Sequence, residues 1–329
     1  MKRPTMKDVA RAAGVSEATV SYVINNGPRP VQKDTRQKIL TAINDLGYRP
    51  HAIARSLKKG STRTVGLLVQ SLISPFVSNL VNSIEKNLAK HDYGLILASA
   101  HENCEREGKM INTLASQSID GLLYIPTSCS NANLINRLLQ EGLPVVFVDR
   151  EVKGVPADIV KTDHKEAARK VTQDLIHNGC RRILCISFSD EASSALERVD
   201  GYLQALQENG IPPTEDLIYI FQYSSDESVE KSLLKHIESN GMPDGILTTT
   251  ENILIDVADA LRKMNVAIPE QVQVAGGFFN SPWNKLLTPP LPVVSQNYEE
   301  ISKRAVEFLL DRINGNTEPP RIDLIEPIY

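Results

Sequence analysis

Ten short apolar segments recur between residues 64 and 297, and segments of helical pattern separate them. Each is almost continuously apolar, as expected of strands that are buried on both faces of a sheet. Strands that alternate with helices form parallel sheets with right-handed crossovers. The pattern repeats weakly on either side of Asp163, which predicts two sheets in two similar lobes. The segments read TVGLLV, YGLILASA, GLLYI, PVVFVD, DIVKTD, RILCIS, LIYIF, GILTTT, VQVAG and PVVSQN.

Two short helices around a tight turn are predicted ahead of these lobes, in residues 5–25. Thr5 and Asp8 have the spacing of a capping box at the start of the first helix. Gly14 supplies the turn, because it adopts a left-handed backbone without steric cost, and Ser16 caps the second helix. Apolar side chains at helical spacing join the two helices, so the first turns of the second helix face outward. In a helix-turn-helix those turns meet base edges in the major groove.

The charge of the same region favours nucleic acid as its partner. Two amphipathic helices around a glycine occur in many proteins, so the helical pattern alone leaves DNA binding open. Residues 1–60 hold twelve Lys or Arg and four acidic residues, a charge of +8, whereas the whole chain carries −4 and residues 61–329 therefore carry −12. A basic segment on an acidic body is the electrostatic footprint of nucleic-acid binding. Here it coincides with the two-helix pattern.

Two further helices are predicted before the first strand. One covers residues 33–46 and ends at Gly47. Residues 50–60, P-H-A-I-A-R-S-L-K-K-G, predict a helix that is too short to be stable alone in water, and a basic linker is the alternative interpretation. The predicted buried stripe of the longer helix comprises Ile39, Leu40, Ile43 and Leu46.

Two runs, K-D-V-A-R-A-A-G-V-S-E-A-T-V-S-Y-V-I-N-N at 7–26 and P-H-A-I-A-R-S-L at 50–57, resemble the lactose-repressor (LacI) family of bacterial transcription regulators. The likeness runs the full length of the chain. It implies an α/β protein with an N-terminal three-helix helix-turn-helix headpiece, a hinge helix, and a two-lobed periplasmic-binding-protein-like core of parallel sheets. The implied boundaries are 1–49 for the headpiece, 50–60 for the hinge helix and 61–329 for the effector-binding and dimerisation core. Within the core, lobe 1 comprises about 61–163 and 293–323, and lobe 2 about 164–292 and 324–329.

The resemblance implies a palindromic double-stranded DNA operator and a homodimer as partners. Glu17, Ala18 and Tyr22 occupy positions that read bases in the family, and Leu57 matches a hinge leucine that pries base pairs apart in the minor groove. Because no leucine-heptad tail follows RIDLIEPIY, a dimer is favoured over a tetramer. The predicted DNA contacts are Thr5, Lys7, Ser16, Glu17, Ala18, Thr19, Ser21, Tyr22, Asn25, Ala54, Arg55, Leu57 and Lys58.

An effector site is predicted between the lobes, since ligands of open α/β folds bind outside the carboxyl ends of the strands. That rule selects Ser74–Phe76, Ser128, Asp149, Thr250 and the loop Gly276–Trp283. The alternative role of Asp149 is to cap its loop. The resemblance adds Arg198 in A-L-E-R-V-D-G-Y, because the family's R-x-x-G-Y/F arginine reaches into the cleft and holds effector oxygens, a role that suits the guanidinium fork. On its own, Arg198 reads as a solvated surface arginine. The predicted effector contacts are Ser74, Phe76, Ser128, Asp149, Arg198, Tyr223, Thr250, Phe279 and Gln296.

Two departures from the family pattern bear on the effector. Many members have Gly-Phe-Asp-Asp or Gly-Phe-Asp-Asn where this chain has Gly-Phe-Phe-Asn at 277–280, and that aspartate accepts hydrogen bonds from sugar hydroxyls. Members also tend to have Asn-Asp where this chain has Thr250 and Glu251. A cleft that keeps Arg198 and loses a carboxylate favours an anionic effector such as a sugar acid or sugar phosphate.

The sequence therefore predicts a repressor of a carbohydrate-utilisation operon, controlled by a sugar, sugar acid or sugar phosphate. No apolar run is long enough to span a membrane and no signal peptide is recognisable, so a cytoplasmic location is expected. A solute-binding protein is disfavoured by the basic headpiece, and an enzyme by the absence of phosphate-binding and nucleophile motifs. Neither cofactor nor metal is expected. The six histidines show no metal-binding pair and are assigned surface or structural roles. The four cysteines lack C-x-x-C spacing and are expected to be reduced and inert.

Overall fold

The computed structural model describes residues 4–24, 31–48, 61–127, 131–188, 191–221, 228–276, 278, 284 and 290–329. The chain forms two units, Met1–Thr62 and Arg63–Tyr329, which are taken one at a time below. The predicted hinge helix at 50–60 lies outside the described residues. The same holds for the predicted DNA contacts Asn25, Ala54, Arg55, Leu57 and Lys58, and for the predicted effector contacts Ser128, Tyr223 and Phe279.

The first unit contains the three predicted helices α1 (Met6–Ala13), α2 (Glu17–Ile24) and α3 (Lys33–Leu46). The capping box is present, because Thr5 N donates to Asp8 Oδ2 at 2.9 Å and Asp8 N donates to Thr5 Oγ1 at 3.3 Å. Gly14 has the expected left-handed backbone (φ 66°), and the Ser16 hydroxyl accepts from Thr19 N at 3.2 Å. These caps satisfy backbone N–H groups that a helix start leaves open.

The predicted buried stripe of α3 is only partly correct. Ile39 is fully buried and Ile43 half-buried, but Leu40 is 44% exposed and Leu46 is 38% exposed. Ala42 is buried instead, at three residues from Ile39, which is the helical spacing for a single narrow stripe. The small core that α3 completes, with Val9 of α1 and Val20 of α2 at its centre, has room for one such stripe.

The second unit alternates strands and helices as predicted. Its strands are β1 (Thr64–Val69), β2 (Gly94–Ser99), β3 (Gly121–Tyr124), β4 (Val145–Val148), β5 (Asp158–Thr162), β6 (Ile183–Ser187), β7 (Ile218–Ile220), β8 (Gly245–Thr248), β9 (Gln273–Gly276) and β10 (Ile322–Ile325). Its helices are α4 (Pro75–Ala89), α5 (Cys104–Ser116), α6 (Ala132–Gln140), α7 (His164–His177), α8 (Ser193–Glu208), α9 (Val229–Asn240), α10 (Glu251–Lys263) and α11 (Tyr298–Ile313).

Two parallel sheets organise these elements into two lobes. Among the described residues, the first lobe has six strands in the order β10-β5-β4-β3-β1-β2, and the second has four in the order β7-β6-β8-β9. Side chains of the first sheet alternate between a core shared with α4 and α11 and a core shared with α5 and α6. The second sheet is covered in the same way by α9 and α10 on one face and by α7 and α8 on the other. Burial on both faces explains the continuous apolar runs.

One predicted lobe boundary and one predicted strand differ from the structure. Leu324 and Ile325, assigned from the sequence to the second lobe, pair with β5 in the first sheet, because β10 extends the register of that edge strand. The segment PVVSQN forms no strand. Within it, only Val293 and Ser295 make isolated bridges, to Gly276 and Ile328. A segment that leaves one sheet and crosses to the other has no continuous neighbour to pair with.

The cysteines differ from the expectation of four reduced thiols. Cys180 and Cys185 are free and buried, and burial raises the pKa of the Cys180 thiol to about 11 and that of Cys185 to about 12. Cys104, at the start of α5, is disulfide-bonded. The spacing of the cysteines in the chain carried no sign of this bond. No helix in the described part of the chain is long and apolar enough to cross a membrane.

Candidate functional site

The first unit exposes the starts of α1 and α2. Lys7, Ser16, Glu17 and Ala18 are exposed, whereas Thr19, Ser21 and Tyr22 are partly buried. The side chains that would read bases therefore lie on the first turns of α2, while Val20 and Val23 of the same helix are buried in the core. An exposed helix start of this kind offers side chains to a groove and backbone N–H groups to phosphates.

The structure explains Arg198, Gly201 and Tyr202 of the R-V-D-G-Y motif in α8. An added Cβ at Gly201 would lie 2.1 Å from the Lys165 carbonyl oxygen, so only glycine lets α8 approach α7 this closely. The Tyr202 hydroxyl donates to the Ile183 carbonyl at 2.8 Å and ties α8 to β6. One turn earlier, Arg198 is 4% exposed and points towards the strand ends instead of into solvent. The surface interpretation of Arg198 is therefore wrong.

Arg198 is held by neutral groups. Its Nη1 donates to the Thr249 carbonyl at 2.7 Å. Its Nη2 and Nε lie 3.2 and 3.4 Å from Nδ1 of His164, which must accept because a guanidinium only donates. The guanidinium carbon lies 3.4 Å from the centroid of the Phe278 ring, a cation–π contact. Both hydrogen-bond acceptors that the described residues offer to this cation are uncharged.

His164 connects Arg198 to Asp149, which follows β4 in the first lobe. With Nδ1 accepting, the proton of a neutral imidazole is on Nε2, which donates to the Asp149 carbonyl at 3.2 Å. Oδ1 of Asp149 lies 3.1 Å from the same nitrogen, but the direction is poor and the atom has no hydrogen-bond partner among the described residues. Asp149, His164 and Arg198 are called the interlobe cluster below.

Burial and neighbouring charges set the ionisation of the cluster. Burial and the Arg198 cation lower the pKa of His164 below its ordinary value, against the pull of Asp149, so the imidazole is neutral at pH 7. Burial alone would raise the pKa of Asp149, but His164, Arg198 and Arg150 together hold it below its ordinary value. Burial lowers the pKa of Arg198 to about 9, so that it stays charged at pH 7.

Arg150 adds a second cation beside the cluster. It is 8% exposed, its Nη1 donates to the Pro126 carbonyl at 3.3 Å, and it lies 3.8 Å from a carboxylate oxygen of Glu102. Its guanidinium carbon is 5.2 Å from the ring centroid of Phe188, which also lies 5.9 Å from that of Arg198. Two buried arginines and one buried aspartate therefore lie between the lobes at the strand ends, with the half-exposed Glu102 beside Arg150.

Several buried polar atoms at these strand ends have no hydrogen-bond partner among the described residues. They belong to residues at the carboxyl ends of β1, β4 and β8 and at the start of α8. These atoms are Gln70 Oε1, Asp149 Oδ1, Arg150 Nε, Thr248 Oγ1 and Ser194 Oγ. A buried polar group without a partner costs free energy. Its recurrence at one end of both sheets, where α/β folds bind ligands, marks a binding site.

Backbone strain coincides with the same place. Asp149 (φ 64°) and Phe278 (φ 71°) both have left-handed backbones, which are rare for residues other than glycine, and rarer still for a bulky side chain such as phenylalanine. Such strain persists where surrounding structure enforces it, and it gathers at binding sites. Both residues contact the interlobe cluster or belong to it.

The other predicted effector residues that the structure describes have different roles. Ser74 precedes α4 without a side-chain capping bond, and Phe76 packs into the core of the first lobe. Thr250 caps α10, where its hydroxyl accepts from Ile253 N at 3.4 Å. Gln296 is buried and its side-chain oxygen accepts from the Thr162 hydroxyl at 2.9 Å. Of the predicted set, the structure thus brings Asp149 and Arg198 into one hydrogen-bonded cluster.

Sequence reasoning missed four residues of the site. His164 was assigned a surface or structural role, but it is fully buried and hydrogen-bonded within the interlobe cluster. It immediately follows a strand and a capping aspartate, so the strand-end rule that selected Asp149 would have found it. Gln70 and Arg150 follow strands in the same way, whereas nothing in the sequence indicated Phe278 over its neighbour. No group of three or more metal-ligating side chains occurs in the described ranges.

Comparisons with known proteins find a match to the same family in each of the two units. The family model described as "Bacterial regulatory proteins, lacI family" matches residues 5–51, and "Periplasmic binding proteins and sugar binding domain of LacI family" matches residues 62–329. The HTH-type transcriptional repressor PurR of Photobacterium profundum is 30% identical over 326 residues, 98% of this chain and 96% of that protein. The ribose operon repressor of Escherichia coli is 30% identical over 318 residues, 95% of this chain and 94% of that protein. The solved complex of the transcriptional regulator CelR with cellobiose is 29% identical, with a TM-score of 0.72 over 99% of this chain and 98% of that one.

Proposed function

Because the chain belongs to the LacI family of bacterial transcriptional regulators, we propose that it represses a carbohydrate-utilisation operon under the control of a sugar acid or sugar phosphate bound between its lobes. The chain is a DNA-binding repressor with an effector-binding domain. The similar ribose operon repressor and the CelR–cellobiose complex support a carbohydrate context. The nature of the effector follows from the interlobe cluster and its surroundings.

The observation that carries this proposal is the set of buried polar atoms without partners at the strand ends of both lobes. The set contains acceptors, such as Asp149 Oδ1, and a donor, Arg150 Nε, which together suit a ligand with hydroxyl groups and an anionic group. A ligand that satisfies them recovers the free energy that their burial costs.

The charge of the site favours an anion. Arg198 and Arg150 are both buried, and the acceptors of Arg198 among the described residues are neutral. A buried guanidinium binds a carboxylate or phosphate through two parallel bonds in its fixed fork. The sequence adds that Phe279 replaces a carboxylate that accepts sugar hydroxyls in many family members. We therefore expect a sugar acid or a sugar phosphate to bind more tightly than the neutral sugar.

A thermal-shift panel on the full-length protein tests the effector class. The panel contains gluconate, glucuronate, glucose 6-phosphate and ribose 5-phosphate, with glucose and ribose as uncharged controls. A true effector at about 100 times its Kd stabilises the protein by about 2.7 kcal/mol. An operator-binding titration then shows whether the compound releases or promotes DNA binding. Stabilisation by the neutral sugars alone would overturn the anionic assignment.

We propose further that a homodimer binds a palindromic operator through the exposed starts of α1 and α2. The contacts proposed among the described residues are Thr5, Lys7, Ser16, Glu17, Ala18, Thr19, Ser21 and Tyr22, and a hinge helix at 50–60 with Leu57 as a minor-groove wedge completes the interface. The basic charge of residues 1–60 supports this assignment. Phosphate contacts make log affinity fall steeply with log salt concentration, so an operator affinity that is independent of salt would contradict it.

Tyr22 offers a finer test of the DNA interface. Tyrosine cannot make the paired bonds by which arginine grips guanine, so Tyr22→Arg should change the preference at one base pair of each half-site by about 1–3 kcal/mol. A selection from randomised operators measures this change. We also propose that the protein acts in the cytoplasm and that its role is regulatory and not catalytic.

A further inference from the structure

We propose that His164 positions the Arg198 guanidinium for effector recognition, and that it does so only while its Nδ1 carries no proton. This inference rests on the proposed function, in which Arg198 contacts the effector. In this proposal His164 contacts Arg198 and does not contact the effector, so its role is that of a positioning residue.

The geometry fixes the guanidinium on three sides. Nδ1 of His164 faces Nε and Nη2 at 3.4 and 3.2 Å, and the Thr249 carbonyl holds Nη1 at 2.7 Å. The centroid of the Phe278 ring lies 3.4 Å from the guanidinium carbon, and the ring meets the imidazole edge-on at a centroid distance of 5.2 Å. Each terminal nitrogen keeps one N–H beyond these bonds. His164, Thr249 and Phe278 together therefore fix the directions in which those two N–H groups point.

Of these three residues, only His164 can change from a hydrogen-bond acceptor to a donor by taking up a proton. If Nδ1 takes up a proton, it presents an N–H to the N–H groups of Arg198, and a second positive charge faces the guanidinium at hydrogen-bond distance. The acceptor is lost and the two cations repel each other. Arg198 must then leave the position in which its fork faces the site.

The charges around the imidazole come from two directions. The end of β4 contributes Asp149 and Arg150, and α8 contributes Glu197 and Arg198, whereas Thr249 and Phe278 from the second sheet carry no charge. Burial and Arg198 lower the pKa of His164, and the opposing attraction of Asp149 and Glu197 is weaker. The imidazole therefore stays neutral until the pH falls below its ordinary value of 6.5. Effector recognition should be constant above that pH and weaken in acid.

Two amide substitutions, His164→Asn and His164→Gln, test separately the contacts made through Nδ1 and through Nε2. The side-chain oxygen of asparagine falls near the position of Nδ1 and keeps an acceptor for Arg198, whereas the amide of glutamine reaches the position of Nε2 and keeps only the contact with Asp149. With glucose 6-phosphate and gluconate as probes at pH 7.5, His164→Asn should bind within about threefold of wild type, while His164→Gln should bind about tenfold to a hundredfold more weakly. As the pH is lowered from 7.5 to below 6.5, wild type should lose affinity once His164 takes up its proton, and His164→Asn should change less than wild type.

A second readout needs no effector. In the ¹⁵N NMR spectrum of the full-length protein, the Arg198 Nε–H signal, identified by its loss in Arg198→Lys, should be slow to exchange in wild type and His164→Asn. It should be broadened or lost in His164→Gln. Retention of both the signal and probe binding in His164→Gln would overturn the positioning role. If Arg198→Ala binds the probes like wild type, the proposed function itself fails, and the Nε–H signal still decides whether His164 holds Arg198.

Discussion

Two buried aspartates of the second unit, Asp158 and Asp149, differ in their hydrogen-bond partners. Asp158, at the start of β5, is 1% exposed and accepts four hydrogen bonds. Arg312 binds it with both ends of its fork, at 2.9 and 2.7 Å, and Arg321 adds its backbone N–H at 2.8 Å and Nη2 at 3.0 Å. These three residues, called the terminal cluster, join α11 and the segment that leads into β10 to the first sheet. Both carboxylate oxygens are satisfied within the chain.

Asp149, in the interlobe cluster, is 4% exposed and has a different arrangement. A neutral imidazole separates it from Arg198, and its Oδ1 has no partner in the described part of the chain. A satisfied carboxylate can stabilise the fold but has nothing left to offer a ligand. An unsatisfied one costs stability and is expected where a ligand completes it. The contrast separates a structural ion cluster from a binding site more sharply than burial does, since both aspartates are buried.

The largest effect on stability should follow from breaking the terminal cluster. Asp158→Asn leaves Arg312 and Arg321 facing a neutral amide, and loss of one partner of a buried ion cluster should lower the free energy of unfolding by about 3 kcal/mol. The control is Asp311→Asn, which removes an exposed partner of the same Arg321 and should cost less than about 0.5 kcal/mol. Urea unfolding measures both. Equal costs for the two variants would mean that the terminal cluster is not a stability determinant.

A smaller loss of stability should follow from Gly201→Ala, which displaces Arg198 and leaves Asp149 and Asp158 unchanged. The new Cβ meets the Lys165 carbonyl, so α8 must shift away from α7, at a cost of about 2 kcal/mol in unfolding free energy. Because Arg198 lies one turn earlier on α8, the anionic probes should also lose their thermal shift. Asp200→Ala, at the exposed neighbouring position, should change neither property. Normal probe binding by Gly201→Ala would show that the site tolerates a displaced Arg198.

The sequence predicted local features of the fold well, because they depend on neighbours in the chain. The Thr5 and Asp8 capping box, the Gly14 turn and the strand–helix alternation are all fixed by spacings of a few residues. The stripe of α3 was wrong at Leu40, since which apolar residue is buried depends on where α1 and α2 leave room. Leu324 and Ile325 were misplaced for a related reason: strand pairing joins residues far apart in the chain.

The candidate site was predictable only in part. Asp149 and Arg198 could be selected from a strand end and a motif, but their connection through His164 depends on how β4, α7 and α8 meet in space. A histidine that separates an aspartate from an arginine has no signature in sequence spacing, as His164 lies 15 residues from Asp149 and 34 from Arg198. The partnerless atoms of Gln70, Ser194 and Thr248 likewise emerge only from the folded chain.

Arg198→Met tests whether the interlobe cluster serves effector binding, in contrast to the structural role of the terminal cluster. Removing the cation leaves the Thr249 carbonyl and Nδ1 of His164 without their donor and Asp149 without one of the charges that keep it ionised, so the free energy of unfolding should fall by about 1–2 kcal/mol, less than in Asp158→Asn. Operator binding without effector should be nearly intact, whereas the response to the anionic probe should disappear, a loss of about 1–3 kcal/mol of coupling. The operator-binding titration with and without probe measures this. Destabilisation as large as that of Asp158→Asn would place Arg198 among the structural residues.

The smallest expected effect is the dependence of stability on pH, in which the two clusters should separate. The unfolded chain protonates His164 at its ordinary value of 6.5, while the folded chain resists the proton, so unfolding takes up a proton and acid favours the unfolded state. The stability that the interlobe cluster contributes is complete above pH 6.5 and is lost as the pH falls below it. Asp158 also has a lowered pKa, because the bonds from Arg312 and Arg321 outweigh the effect of burial, but its contribution is lost only as the pH falls through 3.8.

Below pH 6.5, the unfolding free energy of wild type should therefore fall more steeply with decreasing pH than that of His164→Asn, and the two slopes should differ by at most about 1.4 kcal/mol per pH unit, the limit for one linked proton. His236, whose pKa is also lowered by burial, titrates in both proteins and cancels in the difference. Urea unfolding at several pH values measures the two slopes. Parallel slopes would mean that His164 takes up its proton equally well in the folded and unfolded chain, and the interlobe cluster would then resemble the terminal cluster in being insensitive to mild acid.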